Sequence, residues 1–544
     1  MPIKRSNRFI PLYVSIGIIL GILVGTFYAN LYSRKSLSII SSSGNKLYDL
    51  LYTIDDQYVD SIKIDDLVES ALPEILKGLD PHSVYLNPEQ VEQSMAELEG
   101  SFSGIGVQFV QFRDSVLITN VIKGGPSENV GLQAGDRIVS ADGVSLTGSE
   151  VTTDFIMKKL KGPADSQVKI EIIRPGVSKK INYSIVRGSV PVRTVTSSYM
   201  LNDSTGYISI NSFGETTYPE FLAALAQLNQ YNFTSLVIDL RGNLGGYMSA
   251  AVSIANEFLS KGDLIVYTEG RKSPREDYYS DGRGSYQNMP LVVLIDETSA
   301  SSSEIFAGAI QDNDRGVIIG RRSFGKGLVQ VPIEFKDGSV VRLTKARYYT
   351  PSGRCLQKPY VAGQDDEYEN DLLDRLNHGE FYSSDSIRTQ GEIFHTRNGR
   401  IVYGGGGVMP DFFVAMDTTD ITPYYKDAYL SGLMNKFSLE FVDNNRNKLS
   451  SFENLASIKK YLESQNVVDK FATYADKNGL RRRNLMIKKS YKILSRVLNQ
   501  IIIYDVFDRA IATEYLNEID PVILKSLQVI KENKTFPQSD NDTE

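Results

Sequence analysis

Strands and helices alternate between residues 200 and 350, and no other feature constrains the fold as much. Leu236–Leu240 is a short, largely apolar run that predicts a buried strand, and a glycine-rich turn and a predicted helix follow it. Pro290–Asp296 predicts a second buried strand, which leads to a second helix from Ser301 to Gln311, and Val317–Gly320 predicts a third strand. This βαβα rhythm is typical of an α/β layer fold.

Length and composition limit the classes of protein that the chain can belong to. With 544 residues it is too long for one ordinary hydrophobic core, so three or more domains are expected. A net charge of −7 gives no general attraction to phosphate backbones, and we expect no nucleic-acid partner. The chain has only three histidines and one cysteine, Cys355, so neither a His-rich metal site nor an intramolecular disulfide is expected, and no cofactor is predicted.

The amino-terminal segment has the composition of a membrane anchor. No charged residue occurs between Phe9 and Ser33, and about 20 apolar residues suffice to cross a bilayer as a helix. Three basic residues precede the run, which favours a cytoplasmic segment 1–8 and a transmembrane signal anchor over 9–33. A cleaved signal peptide is the alternative interpretation. The long run, with no small-x-small site after it, favours the anchor and places the rest outside the cytoplasm, in the periplasm if the cell has an outer membrane.

Changes in the spacing of apolar residues divide the following part of the chain. Residues 36–98 place apolar side chains three and four positions apart, which predicts a helical region. From 99 to 187 short strands replace this pattern and predict a small β-rich domain. The α/β core is expected over 188–415, where the polar stretch 360–400 is predicted to be an insertion or a long loop.

The last part of the chain is predicted to be helical over residues 416–538. Its apolar positions between Ile487 and Ile501 have helical spacing, which fits a core or a subunit contact better than a catalytic site. These helices are therefore the candidate surface for a homo-oligomer. Residues 539–544 are predicted to be disordered.

Ser301 follows a predicted buried strand and begins a predicted helix. A helix amino terminus offers free N–H groups, which would stabilise negative charge on a carbonyl oxygen as an oxyanion hole does. Ser302 would supply one N–H group, and the glycine turn at Gly245 and Gly246 could supply the other. The same stretch also fits a capping box in which Glu304 reaches back to the helix start, and taken alone it favours capping over catalysis.

Lys326 changes this balance. It lies 25 residues after Ser301, between two glycines and with no acidic residue over 323–329. A lysine with its ordinary pKa of about 10.4 cannot accept a proton at neutral pH, whereas burial can lower that pKa toward about 7–8. Gln330 could orient the lysine through a hydrogen bond. The pattern therefore predicts a Ser–Lys hydrolase.

Two other interpretations use the same residues. Residues 320–326 match the GxxxxGK start of a phosphate-binding loop, but Gly327 stands where that loop needs a hydroxyl for Mg²⁺, and a strand is predicted to follow. A Ser–His–Asp triad could instead combine Ser301 with a histidine. No spacing rule excludes this triad, although two of the three histidines lie in the polar stretch 360–400. The candidates are His82, His378 and His395.

Four segments occur in the order that is typical of the carboxyl-terminal processing peptidases, also called tail-specific proteases. The segments are IDLRGNLGG, SASSSEIFAGAIQD, SFGKGLVQ and TPSGR. From about residue 45 to 415 the chain resembles this family, which implies a ClpP/crotonase-like α/β peptidase core. The resemblance implies Ser301 as the nucleophile, Lys326 as the general base and Gln330 as its partner. It further implies an oxyanion hole from the amides of Ser302 and the Gly245–Gly246 turn. The LDPHS segment also fits, and there His82 is structural.

The β-rich region resembles a PDZ domain. Residues 131–138 match one PDZ segment, and a glycine turn before them matches the loop that binds carboxylates. Successive N–H groups in such a loop can hold a terminal carboxylate, while the adjacent strand edge pairs with the peptide. A tight turn without a ligand is the alternative use of the same glycines. The residues of this loop are Ser103, Gly104, Ile105, Gly106 and Val107.

Together these features predict a membrane-anchored, extracytoplasmic serine endopeptidase. Its PDZ domain would capture proteins with free carboxyl-terminal tails, and Ser301 would cut them through an acyl-enzyme. Ser301 is preferred over its two serine neighbours because its separation from Lys326 matches the family pairing. The alternative is a PDZ scaffold in the cell envelope without catalysis, against which an intact Ser–Lys–Gln set argues.

Overall fold

The computed structural model describes residues 19–21, 24, 26, 43–112, 114–148, 150–387 and 391–538. The predicted cytoplasmic segment 1–8 and the predicted disordered tail 539–544 lie outside these ranges, as does most of the predicted anchor 9–33. None of the helices within these ranges is long and apolar enough to span a bilayer. The chain divides into two compact units, one that ends at Ile75 and one that begins at Leu76.

Helices occupy most of the segment that was expected to be helical. α1 (Ser43–Gln57) and α2 (Ile64–Leu76) come first, and β1 (Val84–Leu86) and α3 (Pro88–Glu99) follow. Asn87 caps α3 through a reciprocal pair of hydrogen bonds with Gln90, as in a capping box. β1 has only three residues, which is too short to show a strand period in the sequence.

The β-rich domain is built on an antiparallel sheet in which β3 is one of the two end strands. In chain order it contains β2 (Ser101–Gly104), β3 (Val107–Phe112), β4 (Ser115–Val121), α4 (Pro126–Asn129), β5 (Arg137–Ala141), β6 (Val144–Ser145), α5 (Thr153–Leu160), β7 (Gln167–Ile173), β8 (Ile181–Val186) and β9 (Gly188–Pro191). β2 pairs with β9 where the chain enters and leaves the domain. The main sheet has the order β3-β4-β5-β7-β8, with β6 beside β5, so β3 lies at its edge. Ile156 and Leu160 of α5 pack into the domain core.

The α/β core follows the predicted alternation of strands and helices. In chain order it contains β10 (Val195–Met200), β11 (Thr205–Ile210), α6 (Thr217–Asn229), β12 (Ser235–Asp239), α7 (Met248–Asn256), β13 (Leu264–Gly270), β14 (Ser273–Tyr279), β15 (Leu291–Ile295), α8 (Ser302–Asp312), β16 (Val317–Gly320), β17 (Leu328–Glu334), β18 (Val340–Tyr349), α9 (Asp365–Asn377), β19 (Ile393–His395), β20 (Ile401–Tyr403) and β21 (Phe412–Phe413).

The central sheet has the order β10-β11-β12-β15-β16-β21, and its strands from β11 to β21 are parallel. Every residue of β12 and β15 is buried, as expected for parallel strands that are covered on both faces. Ile238 packs in the same cluster as the apolar faces of α6, α7 and α8. The preceding residue of the strand, Val237, belongs to a second cluster on the opposite face.

A second sheet lies beside the first. The lysine segment, residues 321–327 with Lys326, leads into its strand β17. β1, β18, β13 and β14 are neighbours in this order, and β17 pairs with β18 as the antiparallel hairpin that the sequence predicts. β17 begins at Leu328, two residues after Lys326. β1 pairs with β18, which brings the residues just before β1 toward the same hairpin.

The polar stretch 360–400 has more structure than the predicted loop. It contains α9, a short 3₁₀ turn (Ser384–Ser386) and the β19–β20 hairpin. Tyr368, Arg375 and Glu380 are each 4–5% exposed, so part of this polar segment is buried. Its charged residues pair with one another inside the protein, which is why a polar composition concealed an ordered segment.

The carboxyl-terminal region is helical, as predicted. It comprises α10 (Pro423–Leu430), α11 (Leu433–Leu449), α12 (Leu455–Ser464), α13 (Val467–Lys477), α14 (Asn484–Lys489), α15 (Tyr491–Val506), α16 (Arg509–Asn517) and α17 (Pro521–Lys531). The predicted apolar face places Leu494 and Leu498 inside the bundle that α10 to α16 form. α17 packs instead on the central sheet, where Val522 and Ile523 lie in one cluster with Val237.

Candidate active site

Ser301 connects β15 to α8 through an uncommon backbone conformation. Its φ of 54° and ψ of −114° lie outside the extended region that helix-capping serines normally adopt. Left-handed φ values are sterically unfavourable for a residue with a Cβ atom, and strain of this kind is concentrated at functional sites. In α/β-hydrolases a sharp strand-to-helix turn exposes the nucleophilic serine. The geometry therefore favours the catalytic interpretation of Ser301 over simple capping.

The glycine turn after β12 packs directly against Ser301. A Cβ atom on Gly245 would lie 2.7 Å from the Cβ of Ser301, and one on Gly246 would lie 2.1 Å from the carbonyl oxygen of Phe213. Both positions also have positive φ, so a larger residue would be excluded at either of them. The Ser302 hydroxyl donates to the Gly246 carbonyl at 2.8 Å, which joins the turn to the first residue of α8.

The two glycines differ in whether their N–H groups are free. Gly245 N–H donates to Asn243 Oδ1 at 2.8 Å, and the Asn243 side chain is fully buried and itself donates to Ile210 O. Gly246 is exposed, and within the described ranges its N–H group has no protein acceptor. Ser302 is the first residue of α8, so its N–H group has no partner within the helix.

Glu304 connects the serine segment to the lysine segment. Its carboxylate is completely buried and accepts the N–H groups of Ser301 at 2.9 Å, Gly325 at 2.7 Å and Lys326 at 2.8 Å. The Ser323 hydroxyl is a fourth donor at 2.5 Å. Burial raises the pKa of Glu304, and these hydrogen bonds oppose that rise. The capping-box pattern identified only the contact with Ser301, so the sequence did not reveal the other three.

Lys326 lies in a half-buried position with a lowered pKa. Burial is the main cause, Arg342 lowers the pKa further, and Glu304 and Asp80 oppose the shift. A lowered pKa increases the fraction of neutral amine, which is the form that can take a proton. Tyr348 donates its hydroxyl to the carbonyl of Lys326 and also contacts the Ser301 carbonyl at 3.2 Å.

The Ser301 and Lys326 side chains are not hydrogen-bonded to each other in the part of the chain that the structure describes. The backbones of the two segments are nevertheless joined through Glu304 and Tyr348. Catalytic hydrogen bonds are often long in the free enzyme and shorten when substrate binds. The Gln330 side chain makes contacts of 3.5 Å with Leu328 O and 3.4 Å with Thr344 Oγ1. Its predicted contact with Lys326 stays a prediction.

The LDPHS segment forms a turn beside the lysine. Asp80 accepts hydrogen bonds from Ser83 Oγ at 2.6 Å and from Thr344 Oγ1 at 2.9 Å, which ties the turn to β18. His82 Nε2 lies 2.8 Å from the Tyr368 hydroxyl. Burial, and next the charge of Lys326, lower the pKa of His82 to about 4, so His82 is neutral at neutral pH. The other two histidines, in the stretch 360–400, are exposed.

The TPSGR segment holds the opposite end of α8. Arg354 pairs with Asp312 at 2.7 Å, and both side chains are fully buried. Ser352 Oγ also donates to Asp312 at 2.6 Å, and Arg354 donates to Gln311 Oε1 at 2.8 Å. This segment therefore fixes the carboxyl-terminal end of the helix that begins after Ser301.

The candidate peptide-binding loop lies between β2 and β3. The side chain of Ile105 is buried in the core of the β-rich domain, and Gly106 has a φ of +80°. The N–H groups of Ile105 and Gly106 donate to no acceptor among the residues described. β3 begins at the next residue, Val107, and is an end strand of its sheet. Free N–H groups beside an open strand edge are what a peptide with a terminal carboxylate requires.

Parts of the chain are similar to known proteins. The model of peptidase family S41 matches residues 204–365, a PDZ domain model matches residues 103–185, and a family of unknown function matches residues 424–508. The carboxy-terminal processing protease CtpB of Bacillus subtilis (strain 168) is 33% identical over 59% of this chain and 68% of its own length. CtpA of the same organism is 34% identical over 62% of this chain and 71% of its own. A solved structure of a photosystem II D1 C-terminal processing protease is 26% identical, covers 69% of this chain and 94% of that chain, and has a TM-score of 0.34.

Proposed function

Because the chain belongs to the carboxy-terminal processing proteases, which are serine-type endopeptidases, we propose that Ser301 is its nucleophile and Lys326 its general base. The observation that carries this proposal is the Glu304 carboxylate, which binds the backbone N–H groups of both residues at once. A carboxylate in this position holds the two segments in a fixed relation. Such preorganisation is what a proton transfer between their side chains requires.

The proposed reaction proceeds through an acyl-enzyme. Neutral Lys326 accepts the Ser301 hydroxyl proton while the Ser301 oxygen attacks the scissile carbonyl carbon. The resulting ammonium then gives its proton to the leaving amine, which releases the carboxyl-terminal product and leaves an ester on Ser301. Water, deprotonated by the lysine, hydrolyses this ester and regenerates the free enzyme. Gln330 is proposed to orient Lys326 once substrate is bound, since its present contacts of 3.4–3.5 Å are long and weak.

The oxyanion of the tetrahedral intermediate is proposed to bind the N–H groups of Gly246 and Ser302. Gly246 is favoured over Gly245 because Gly245 N–H already donates to Asn243. The role of Gly245 is then to let the turn approach Ser301 closely, and that of Asn243 is to fix the turn. Each donor of an oxyanion hole is worth about 10²–10³-fold in kcat.

The PDZ domain is proposed to select the substrate by its free carboxyl terminus. The loop of residues 103–107 would bind the terminal carboxylate through the N–H groups of Ile105 and Gly106, and the preceding peptide would pair with the edge of β3.

A signal anchor is proposed for the residues before the PDZ domain. The charge-free stretch 9–33 and the basic residues before it support this proposal. The catalytic part is then extracytoplasmic, and periplasmic if the cell has an outer membrane.

The dyad is tested by substitution and by a serine-directed acylating probe, both in the presence of an unstructured substrate with a free tail. Ser301→Ala and Lys326→Ala should each abolish cleavage while the circular dichroism spectrum is unchanged. Ser302→Ala is the comparison variant: it removes the hydroxyl that donates to Gly246 O and should slow cleavage without abolishing it, because Ser301 and Lys326 are unchanged. Full cleavage by either of the first two variants would refute the dyad. No probe adduct on the unmodified chain would favour a non-catalytic scaffold.

Tail recognition is tested by amidating the substrate carboxylate. The amide removes the negative charge that the loop would bind, so KM should rise while kcat at saturation is retained. Gly106→Ala, which places a Cβ atom 3.2 Å from Gly125 at a position with positive φ, should raise KM for the free tail and have little effect on the amidated one. Equal KM values for free and amidated tails would remove the capture model but leave the dyad untouched.

A further inference from the structure

The segment that carries Lys326 has no regular secondary structure between β16 and β17. Its position must therefore be fixed by contacts from other elements. Glu304 binds the N–H groups of Gly325 and Lys326 on one side. On the other side, the guanidinium of Arg375 donates to the carbonyl of Arg322 at 2.7 Å and to that of Ser323 at 3.0 Å. Arg375 belongs to α9, in the polar stretch that the serine-lysine chemistry does not use.

Arg375 is held in place by a buried carboxylate. Glu380 accepts a hydrogen bond from Arg375 Nε at 2.9 Å and two from Arg322, each at 2.7 Å. Arg375 and Glu380 are each 5% exposed. Two arginines and one glutamate thus form a largely buried ionic cluster where the lysine segment begins.

A second contact joins α9 to the same segment. The ammonium of Lys358 lies 4.1 Å from the ring centre of Phe324 and 4.0 Å from that of Tyr368. It also donates to Tyr368 O at 2.9 Å and to Asp371 at 3.1 Å. Phe324 is two residues before Lys326. The lysine segment is therefore contacted at its backbone by Arg375 and at its aromatic side chain by Lys358.

Stability alone does not explain these buried charges. Taking ions out of water is costly, and apolar side chains of similar volume often stabilise a core equally well or better. Apolar side chains cannot, however, donate hydrogen bonds to the carbonyl groups of Arg322 and Ser323. The guanidinium of Arg375 can satisfy both at once because its donors are fixed in one plane. The arrangement is thus suited to fixing a loop backbone.

We propose that Arg375, supported by Glu380, is a positioning residue for Lys326, and that residues 364–387 form a brace that fixes the lysine segment from the side opposite Glu304. This inference rests on the proposed Ser–Lys dyad. The brace would hold the lysine side chain at the distance from Ser301 that proton transfer needs, and would keep water from entering behind the segment.

Arg375→Met is the cleanest test, because it leaves the two hydrogen bonds between Arg322 and Glu380 and a neutral ion pair in place. A displacement of about 1 Å of the general base, Lys326, can lower a rate by about 100-fold. We therefore expect kcat to fall by about 10- to 100-fold and KM to change by less than about twofold. Rates are divided by the number of sites that react with the acylating probe, so that unfolded molecules do not contribute.

The pH profile provides a readout that a purely structural role would not change. If the brace is lost, Lys326 gains contact with water and its pKa moves back up toward the ordinary value. The acidic limb of the kcat profile should therefore shift to higher pH. The charged or titratable groups that otherwise act on Lys326 are unaltered in this variant; they are Arg342, Glu304, Asp80 and His82.

Arg400→Met is the matched control. The side chain of Arg400 is 13% exposed, against 5% for Arg375, and pairs with Asp314 and Asp411. It contacts no residue of 321–327 within the described ranges. This variant should keep the wild-type acidic limb and kcat per active site. Arg375→Lys should recover part of the activity, because an ammonium can donate to one or both carbonyl groups but lacks the planar fork.

The outcomes separate the brace from the dyad. An Arg375→Met enzyme with wild-type kcat per active site and an unshifted acidic limb would overturn the brace, as would one that merely contains fewer active sites. Full activity in Lys326→Ala would instead overturn the dyad. If Lys326→Ala is inactive and Arg375→Met is normal, only the present inference fails.

Discussion

The helix α8 has a buried carboxylate at each end, and the two are satisfied in opposite ways. In its first turn, Glu304 accepts three backbone N–H groups and a hydroxyl, and no arginine or lysine side chain among the described residues binds it. In its last turn, Asp312 pairs with the guanidinium of Arg354. The helix dipole accounts for part of this difference, since an acid is favoured at the amino-terminal end and disfavoured at the carboxyl-terminal end.

The two carboxylates hold different parts of the protein: Glu304 positions the segments of Ser301 and Lys326, and Asp312 anchors the end of α8 to the TPSGR turn. The partners of Glu304 are backbone groups of the segments that carry Ser301 and Lys326, so a change there moves the proposed reacting groups. The side-chain partners of Asp312 are Arg354 and Ser352 of the TPSGR turn, at the opposite end of α8 from Ser301. A change at the carboxyl-terminal end of α8 should lower the stability of the protein. It should leave kcat unchanged in the molecules that remain folded. Three substitutions test this division, and they are ordered by expected free-energy change.

The largest effect is expected from Arg354→Met. This change leaves Asp312 buried without its cation, and breaking a buried pair in this way destabilises a protein by about 3–5 kcal/mol. Denaturant unfolding followed by tyrosine fluorescence should show the loss, while kcat per probe-reactive site should remain within about threefold of wild type. The double variant Arg354→Met, Asp312→Leu should recover much of the stability. A large fall in kcat per active site would show that the two ends are not separable.

A somewhat smaller effect, and one of a different kind, is expected from Glu304→Gln. The amide has one acceptor oxygen where the carboxylate has two, so its NH₂ group must face N–H groups that previously donated to an oxygen. We expect kcat to fall by about 100- to 1000-fold, which corresponds to about 2.7–4 kcal/mol of transition-state stabilisation. Asp312→Asn is the same chemical change at the opposite end and should lower stability while kcat per active site is retained. Similar kcat losses in both variants would contradict the division.

Most of the fold and the core of the candidate site could be predicted from the sequence. Buried parallel strands such as β12 and β15 are continuous apolar runs, and the turn glycines mark their ends, so local patterns suffice. Ser301 and Lys326 were predicted because their segments have recognisable order and spacing. The choice between Gly245 and Gly246 could not be made from the sequence, because it depends on where the Asn243 side chain points.

The contacts that hold the site together could not be predicted, for a physical reason. Glu304 is three residues from Ser301, which a capping box explains, but its contact with Lys326 spans 22 positions and appears only when the chain has folded. Arg375 and Glu380 lie in a polar segment, and a buried ion pair has the same composition as a solvated surface. α17 shows the same limit, because an amphipathic pattern predicts an apolar face but not the sheet that this face covers.

The smallest effect is expected from Lys326→Met, which should stabilise the protein instead of impairing it. Lys326→Met removes a half-buried ammonium whose pKa is lowered mainly by desolvation, so the folded state binds its proton less tightly than the unfolded state does. At any pH between the folded and unfolded pKa values the unfolded chain holds more protons, and wild-type stability therefore rises with pH in that window. Below the window the full cost of burying the charge is present, and above about pH 10.4, the ordinary lysine pKa, it disappears.

Lys326→Met should accordingly be more stable than wild type at neutral pH, by about 1 kcal/mol, and the gain should shrink as the pH approaches the ordinary lysine pKa. Thermal unfolding at a series of pH values measures this difference, and Lys336→Met, at an exposed turn, should leave the stability nearly unchanged. A lower stability of Lys326→Met at neutral pH would mean that Glu304 and Asp80 more than offset the desolvation of the ammonium. The amino-terminal end of α8 would then contribute to stability as its carboxyl-terminal end does, and the contrast between them would rest on kcat alone.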